Sequence, residues 1–594
     1  MNYNLNIEEE VKKKKHRDKQ EKKSTWGSLK TLVAHMVEEK RILAVAFIAM
    51  LITAVLNLLG PIIIGHTVDN YVVPKKYHGV LIFSGILLVM YVIALFAGYV
   101  QTKLMGTVGQ RMLFNLRNGV FNKLQSLPVD FFNQNKTGDL ISRINNDTDK
   151  INQFFSQSLM QFIRSILIMI GAGIFLLSIN FELGVAALAP ALVIWIFTKS
   201  SSSWVKKRNA ASLKSEGLLS SEVQESLNNF KVIVAFDRRD YFREHFNLAN
   251  QDNYDKATRA GVANTLYMPV YTFFSNIGQL VVLTFGIFLI ATGHFTIGLL
   301  ISFLAYITSF YNPLRQLASL WANFQVALAA WDRILRILNM ENDMPQVEAE
   351  KSGDEASLLT FQDVSFSYPN GKEVLHHINF NLKLGKTYAF VGPTGGGKTT
   401  TASLIARLYD PTKGKVLLNG RDIRSYSAEE RVKKIGFILQ DPLLFSGTIR
   451  DNILYGNEEY QNLKNGELKK VFQEAGLERL VERFDNGLET KVDVAGDGIS
   501  LGQKQLIAFM RAVLRKPDLL ILDEATANID TVTEQLLEEI LQKLPERTTK
   551  VIIAHRLNTI ENADVIYFVN TGEVTRAGSL DEAVDMLMHG KMEN

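Results

Sequence analysis

Six apolar runs set the terms for this chain, at about 41–64, 80–104, 159–179, 183–197, 268–292 and 297–321. A helix needs about 20 apolar residues to cross a bilayer, and most of these runs reach that length. The fourth is short as drawn and must borrow neighbours. One such run can be a buried helix of a soluble core. Six in orderly series predict a helical membrane domain, and the 594-residue chain leaves room for a second domain behind it.

The connections orient the spans. The stretch between the second and third carries Lys103, Arg111, Arg117, Lys123, Lys136, Arg143 and Lys150. The still longer stretch between the fourth and fifth includes Lys206, Lys207, Arg208, Arg238, Arg239 and Arg243. The connections at 180–182 and 293–296 are short and hold no lysine or arginine; Lys75 and Lys76 are the mild exception. Basic loops stay inside, so both long loops, the N-terminus and the C-terminal domain are expected in the cytoplasm. Both long loops keep helical periodicity, so the spans are predicted to continue as helices beyond the membrane.

Residues 1–25 form a basic arm (VKKKKHRDKQEKK at 11–23), predicted to be disordered or only loosely helical. Beside a membrane segment this reads as a cytoplasmic topology signal rather than a nucleic-acid arm, and a net charge of +4 gives no general polyanion signature. Residues 26–40 alternate at helical spacing, with Trp26 as an interfacial anchor. No cleavable signal peptide is expected. The absence of cysteine excludes disulfides, thiolate metal sites and cysteine nucleophiles.

Inside the spans there is no aspartate or glutamate away from the ends, which argues against a proton- or sodium-coupled carrier. The fifth and sixth runs carry Tyr271, Phe273, Phe274, Asn276, Gln279, Phe303, Tyr306, Phe310, Tyr311 and Asn312. Singly these read as helix packing. As a group they are candidates for an apolar, hydrogen-bonding cavity.

The membrane domain is bounded at 26–338, a charged linker at 339–357, and a soluble domain at 358–594. Within the last, GPTGGGKTT at 392–400 satisfies G-x-x-x-x-G-K-[ST]. It follows an apolar strand-like run at 388–391 and precedes the helix-like TASLIARLY. In that setting the backbone N–H groups of Gly392, Pro393–Thr400 (Thr394, Gly395, Gly396 and Gly397 among them, proline excepted) curl toward phosphate oxygens. Lys398 reaches the β- and γ-phosphates and the Thr399 hydroxyl holds Mg2+. LLILDEAT at 519–526 is an apolar strand ending in two carboxylates: Asp523 is placed for Mg2+, and Glu524 for polarising the water that attacks the γ-phosphate.

With both motifs in one domain behind six spans, the chain resembles an ATP-binding-cassette exporter half-transporter, in particular one subunit of the bacterial heterodimeric multidrug exporters. The resemblance covers about residues 26–590. It implies an α-helical membrane domain of six transmembrane helices extended into the cytoplasm, fused to an α/β P-loop NTPase domain with a helical subdomain. It further implies ATP and Mg2+ as cofactors, a second half-transporter as partner, a lipid bilayer in the cytoplasmic membrane, and no nucleic acid. Residue by residue, Tyr368 in FSYPN matches the aromatic that stacks on adenine. Gln440 matches the glutamine that senses Mg2+ and the attacking water. Asp530 matches the aspartate that communicates across the dimer, and His555 the histidine that holds the γ-phosphate. Segments near 133–142, with Gly138 and Asp139 at the turn, and near 224–235 resemble the coupling helices.

One departure stands out. The family signature Leu-Ser-Gly-Gly-Gln reads here as ISLGQ at 499–503, keeping Ser500, Gly502 and Gln503 but placing Leu501 where glycine belongs. A Cβ and side chain there obstruct the close approach that glycine permits. The resemblance therefore implies a heterodimer with unequal ATP sites that exports amphipathic compounds or drugs. The alternatives are a lipid or peptide exporter, possibly homodimeric, and a membrane-anchored ATPase or sensor that transports nothing.

Overall fold

The computed structural model describes residues 3–5, 39–349, 357–369, 371–493, 498–524, 530–553 and 560–589. It divides into two units, one built on the spans and one on the C-terminal sheets.

The helices of the first part of the chain are α1 (Lys40–Val72), α2 (Tyr77–Gln125), the short α3 (Val129–Gln134), α4 (Thr137–Ile179), α5 (Phe181–Asn228), the short α6 (Phe230–Ala235), α7 (Arg239–Ala291) and α8 (Ile297–Leu338). The six long ones are the transmembrane helices. The short fourth run is no exception, because α5 runs unbroken for 48 residues. At 1.5 Å per residue, α2 and α5 are each about 70–75 Å long, more than twice the hydrocarbon thickness, so both extend well beyond it. Leu81, Leu88 and Leu95 recur every seventh residue along α2 and are each more than 60% exposed, the exposure expected of a face turned to lipid.

Small residues let these helices approach closely. A Cβ on Gly65 of α1 would lie 2.6 Å from the Gly298 carbonyl of α8, and one on Gly298 would lie 2.0 Å from the Gly65 carbonyl. No side chain fits at either position, which is the logic of small residues at helix crossings in membranes. Beside this contact, Asp69 accepts hydrogen bonds from the Gly298 N–H (2.8 Å) and the Thr296 hydroxyl (2.6 Å), satisfying orphan donors at the start of α8.

The aromatic residues of the fifth and sixth runs are used differently from the cavity expectation. Tyr271, Phe303, Tyr306 and Tyr311 are buried in one apolar cluster with Ala172, Leu176 and Val282. The Tyr311 hydroxyl donates to the Ala187 carbonyl (2.9 Å) and that of Tyr271 pairs with Thr198 (2.9 Å). Their polar tips are consumed in holding helices together, so packing is their role in this conformation. Phe273, Asn276 and Asn312 remain exposed.

In the second unit, the strands and helices are β1 (Leu359–Ser367), β2 (Glu373–Leu382), β3 (Thr387–Val391), α9 (Lys398–Ile405), β4 (Lys413–Leu418), β5 (Arg421–Asp422), α10 (Ala428–Lys434), β6 (Ile435–Ile438), β7 (Gly447–Thr448), α11 (Ile449–Ile453), α12 (Asn465–Glu474), α13 (Glu478–Val481), β8 (Lys491–Val492), α14 (Leu501–Val513), β9 (Leu519–Asp523), α15 (Thr531–Gln542), β10 (Thr549–Ile553), β11 (Val565–Asn570), β12 (Glu573–Ala577) and α16 (Leu580–His589). The main sheet has the order β12-β11-β3-β10-β9-β6, parallel except for β12. The central strands β3 and β9 are almost wholly apolar and buried because both faces are covered. Ala389 and Val391, with Leu520 and Leu522, face the cluster built by α14 and α15. Tyr388 and Phe390, with Leu519 and Ile521, face the antiparallel sheet β2-β1-β4-β5.

This unit also takes in two pieces that sequence order assigns elsewhere. Residues Ser126–Thr137, from the end of α2 to the first residue of α4, belong to it, so this unit is not confined to the C-terminal stretch. Tyr3 and Leu5 are buried in it (0% and 3% exposed), so at these residues the expectation of a disordered arm does not hold; Trp26 lies outside the described residues. The stretch after α8 is tied down as well. Asn342 donates to the Ser126 carbonyl (3.0 Å), Arg407 to the Pro345 carbonyl (2.9 Å), and the Val347 N–H to the Arg424 carbonyl (3.2 Å). Within the 133–142 window the helix is interrupted, with α3 ending at Gln134 and α4 starting at Thr137.

Candidate nucleotide site

A parallel sheet delivers the carboxyl ends of its strands to one edge, where ligands of open α/β sheets bind. Here that edge gathers the loop after β3, the carboxylates at the end of β9 and Gln440 just after β6. The loop after β3 is forced by its glycines. Gly392 has φ +143° and its missing Cβ would sit 2.0 Å from the Val569 carbonyl, while Gly397, the residue before α9, has φ +113°. No L side chain is accommodated at either place, so the backbone closes into a cradle of N–H groups at the start of a helix.

Lys398 is buried, and its ammonium donates to the carbonyls of Gly392 (2.7 Å) and Pro393 (3.0 Å) across the loop. Burial pushes its pKa below the ordinary lysine value, and the carboxylates of Glu524 and Asp523 pull it back up. A lysine held this way is a charge pre-positioned for phosphate oxygens. The Thr399 hydroxyl, one residue on, donates to Oδ1 of the buried Asp523 at 3.3 Å. One hydroxyl and one carboxylate side by side are the protein donors that Mg2+ takes when phosphates and water complete its octahedron. Among the described residues no group of three or more histidine, aspartate or glutamate side chains could hold a metal ion by itself. Thr399 and Asp523 would hold that ion, whose charge offsets that of the phosphates.

Glu524 follows directly and adopts φ +50°, with its N–H bonded to the Ile553 carbonyl of β10 at 3.2 Å. A left-handed non-glycine residue costs on the order of 1 kcal/mol or more and concentrates at functional sites. Its carboxylate accepts a hydrogen bond from Gln440 Nε2 at 2.8 Å, joining two residues 84 positions apart in sequence. Tyr368 is half-buried, and its hydroxyl meets the Thr400 hydroxyl at 3.1 Å, beside the loop.

Other predicted residues lie apart from this group. Ser500 is the N-cap of α14: its side chain accepts from the Gln503 N–H (3.2 Å) while Gln503 Oε1 accepts from the Ser500 N–H (2.9 Å), a capping box. Leu501 and Gly502 begin the helix, and beyond the capping box Gln503 Nε2 donates to the Arg483 carbonyl at 3.5 Å. Asp530 caps α15 through the Thr533 N–H (3.0 Å) and hydroxyl (2.6 Å), and these bonds hold its carboxyl below the usual carboxylate range. His555 lies outside the described residues. Sequence reasoning missed Tyr409 and Asn133. The Tyr409 ring packs edge-on against Tyr368 at 5.4 Å, and its hydroxyl accepts a 2.6 Å hydrogen bond from Asn133 Nδ2 on α3. The only sequence signal was an aromatic at the end of the run after the phosphate loop.

Two family models match this chain, the ABC transporter transmembrane region over residues 43–314 and the ABC transporter domain over 375–527. A relative from Bacillus subtilis, named an uncharacterized ABC transporter ATP-binding protein, YfiC, is 34% identical over 572 residues, covering 95% of this chain and 93% of its own. The chain belongs to the ABC transporter family. A multidrug resistance ABC transporter ATP-binding and permease protein of Lactococcus lactis is 31% identical over 83% of this chain and 84% of its own. A fatty acid ABC transporter ATP-binding/permease protein of Mycobacterium bovis is 34% identical over 83% and 77%. This ABC transporter chain is a multi-pass protein of the bacterial cytoplasmic membrane. It is an exporter whose cytoplasmic domain is an ATPase using ATP with Mg2+.

Proposed function

We propose that the chain is one half of a heterodimeric exporter of amphipathic compounds, with one full-strength ATP site and one weakened site. Leu501 is the observation that carries this reading. It is the first residue of α14, so its backbone is helical and needs no glycine for conformational reasons. Its bulk is what matters, since the side chain stands 43% exposed at a helix start. Helix N-terminal N–H groups bind phosphate only when the oxygens come within hydrogen-bond distance, and a leucine at the mouth keeps them out. The chain's own loop and carboxylates depart nowhere from the working pattern. They would therefore pair with an intact signature on a different subunit.

In this reading Tyr368 stacks on adenine, and the loop from Gly392 to Thr400 with Lys398 cradles the phosphates. Thr399 and Asp523, with Gln440 nearby, hold Mg2+. Glu524 is the general base, oriented by Gln440, with His555 at the γ-phosphate. Ser500, Gly502, Gln503 and Asp530 serve the partner's nucleotide. The segments α3 and α6 act as coupling helices. α6 suits docking on a partner, because Phe230 and Val232 of the helix and Phe236 after it are each more than half exposed. Amphipathic substrates fit the names of both the multidrug and the fatty acid relatives.

The test is ATP turnover of the purified chain alone and with a half-transporter that carries a complete signature. Low, substrate-insensitive turnover alone and drug-stimulated turnover in the pair is the expected result. A single-chain dimer with full, drug-stimulated activity overturns the heterodimer. The fatty acid relative favours a second reading, a lipid exporter, which vesicle assays separate by whether a labelled lipid or a dye is moved.

A further inference from the structure

Residues 3–5 lie at the head of a charged arm, yet they are buried against the two places where the chain passes between spans and soluble unit. Asn135, just after α3, reads the backbone of this segment with both ends of its amide: Oδ1 accepts from the Leu5 N–H (3.1 Å) and Nδ2 donates to the Tyr3 carbonyl (3.0 Å). Gln134 Oε1 accepts from the Tyr3 N–H at 2.9 Å. The Tyr3 ring lies edge-on to Phe131 of α3, its hydroxyl donates to the Asp343 carboxylate, and it accepts from the Asp343 N–H at 3.1 Å. Asn135 is itself buried, and its Nδ2 also donates to the Phe131 carbonyl (2.8 Å), so its amide is fixed in orientation. Two backbone groups of one residue and one of another are paired, and a whole aromatic ring is taken from water. This is the pattern of a bound peptide rather than of a tail lying on a surface.

We infer that Tyr3–Leu5 is a clamp that locks α3 to the stretch after α8, making Tyr3 a positioning residue for coupling ATP turnover to the spans. The clamp sits in the soluble unit but grips the segment that follows α2 and the one that follows α8. Its release loosens α3 from the stretch after α8 while the Asn133–Tyr409 bond still ties α3 to the nucleotide site. The coupling role rests on the exporter reading above; the seating of the clamp does not.

The chain has no cysteine, so Leu5→Cys creates a single thiol that reports seating directly. In the full-length protein it is expected to react with a maleimide about ten-fold more slowly than Glu429→Cys, a control on an exposed side chain. Adding Asn135→Ala or Tyr3→Ala should erase that difference. Equal labelling of Leu5→Cys and Glu429→Cys in the otherwise unaltered chain overturns the clamp. In vesicles, Tyr3→Ala is expected to lower transport per ATP hydrolysed, with Tyr3→Phe, which keeps the ring and loses only the hydroxyl, falling between it and the unaltered chain. Transport and hydrolysis falling in proportion overturns the positioning role. Labelling requires no transport, so it decides the clamp even if the exporter reading fails.

Discussion

Glu524→Gln is the substitution that separates chemistry from architecture at this site. The present carboxylate accepts a hydrogen bond from Gln440 at 2.8 Å, and a glutamine carbonyl can accept the same bond. The left-handed backbone at φ +50° is no harder for glutamine than for glutamate. The Thr399–Asp523 pair and the Lys398 bonds to the loop are untouched. Only the ability to take a proton from water is removed. Losing a general base costs about 10²–10⁴ in rate, or about 2.7–5.4 kcal/mol of activation free energy. Phosphate release by the variant paired with its partner half measures this, and binding of a fluorescent ATP analogue should stay within about two-fold, an effect below ~0.5 kcal/mol. Turnover near that of the unaltered pair would show that the base lies elsewhere. Loss of nucleotide binding along with turnover would show that Glu524 holds the architecture and that the reasoning from Gln440 is wrong.

Four other outcomes follow from the same geometry. Leu501→Gly should raise ATP turnover at the weak site by about ten-fold, the effect of one charge-assisted hydrogen bond, as measured by phosphate release in the pair. Tyr409→Phe removes the 2.6 Å bond from Asn133 and should weaken substrate stimulation of the ATPase while leaving nucleotide affinity unchanged. Gly298→Ala forces a methyl against the Gly65 carbonyl, and about 1–3 kcal/mol of overpacking should appear as earlier thermal aggregation in detergent. Chelating Mg2+ should stop hydrolysis, with restoration on adding the ion back, and Asp523→Asn should raise the Mg2+ concentration needed.

The parts of the fold that were readable from sequence are those set by local rules. The β3–loop–α9 unit follows from an apolar strand, glycines that tolerate φ near +143° and +113°, and a helical run. The long helices follow from runs too apolar for anything but lipid. The aromatic residues of α7 and α8 were not readable, because a span that is apolar all round does not reveal which face is packed. Tyr306 and Tyr311 proved to be buried between helices. Tyr409 and Asn133 stand 276 positions apart, so only tertiary structure brings them together. Tyr3 and Leu5 were hidden by composition: two apolar residues in a charged arm carry no periodic signal, and their partners Phe131, Gln134, Asn135 and Asp343 are all far away in sequence. The Ser500–Gln503 cap was written in the sequence, but the exposure of Leu501 beside it was not.

The glycine contact between α1 and α8 has a mechanical consequence. With Gly65 and Gly298 backbone to backbone, and Asp69 bonded to the first turn of α8, parting the outer ends of these two helices breaks two hydrogen bonds and a close backbone contact. An outward-facing state that keeps this contact carries the two helices as one rigid beam. In such a state the seam through which substrate leaves opens along some other pair of spans.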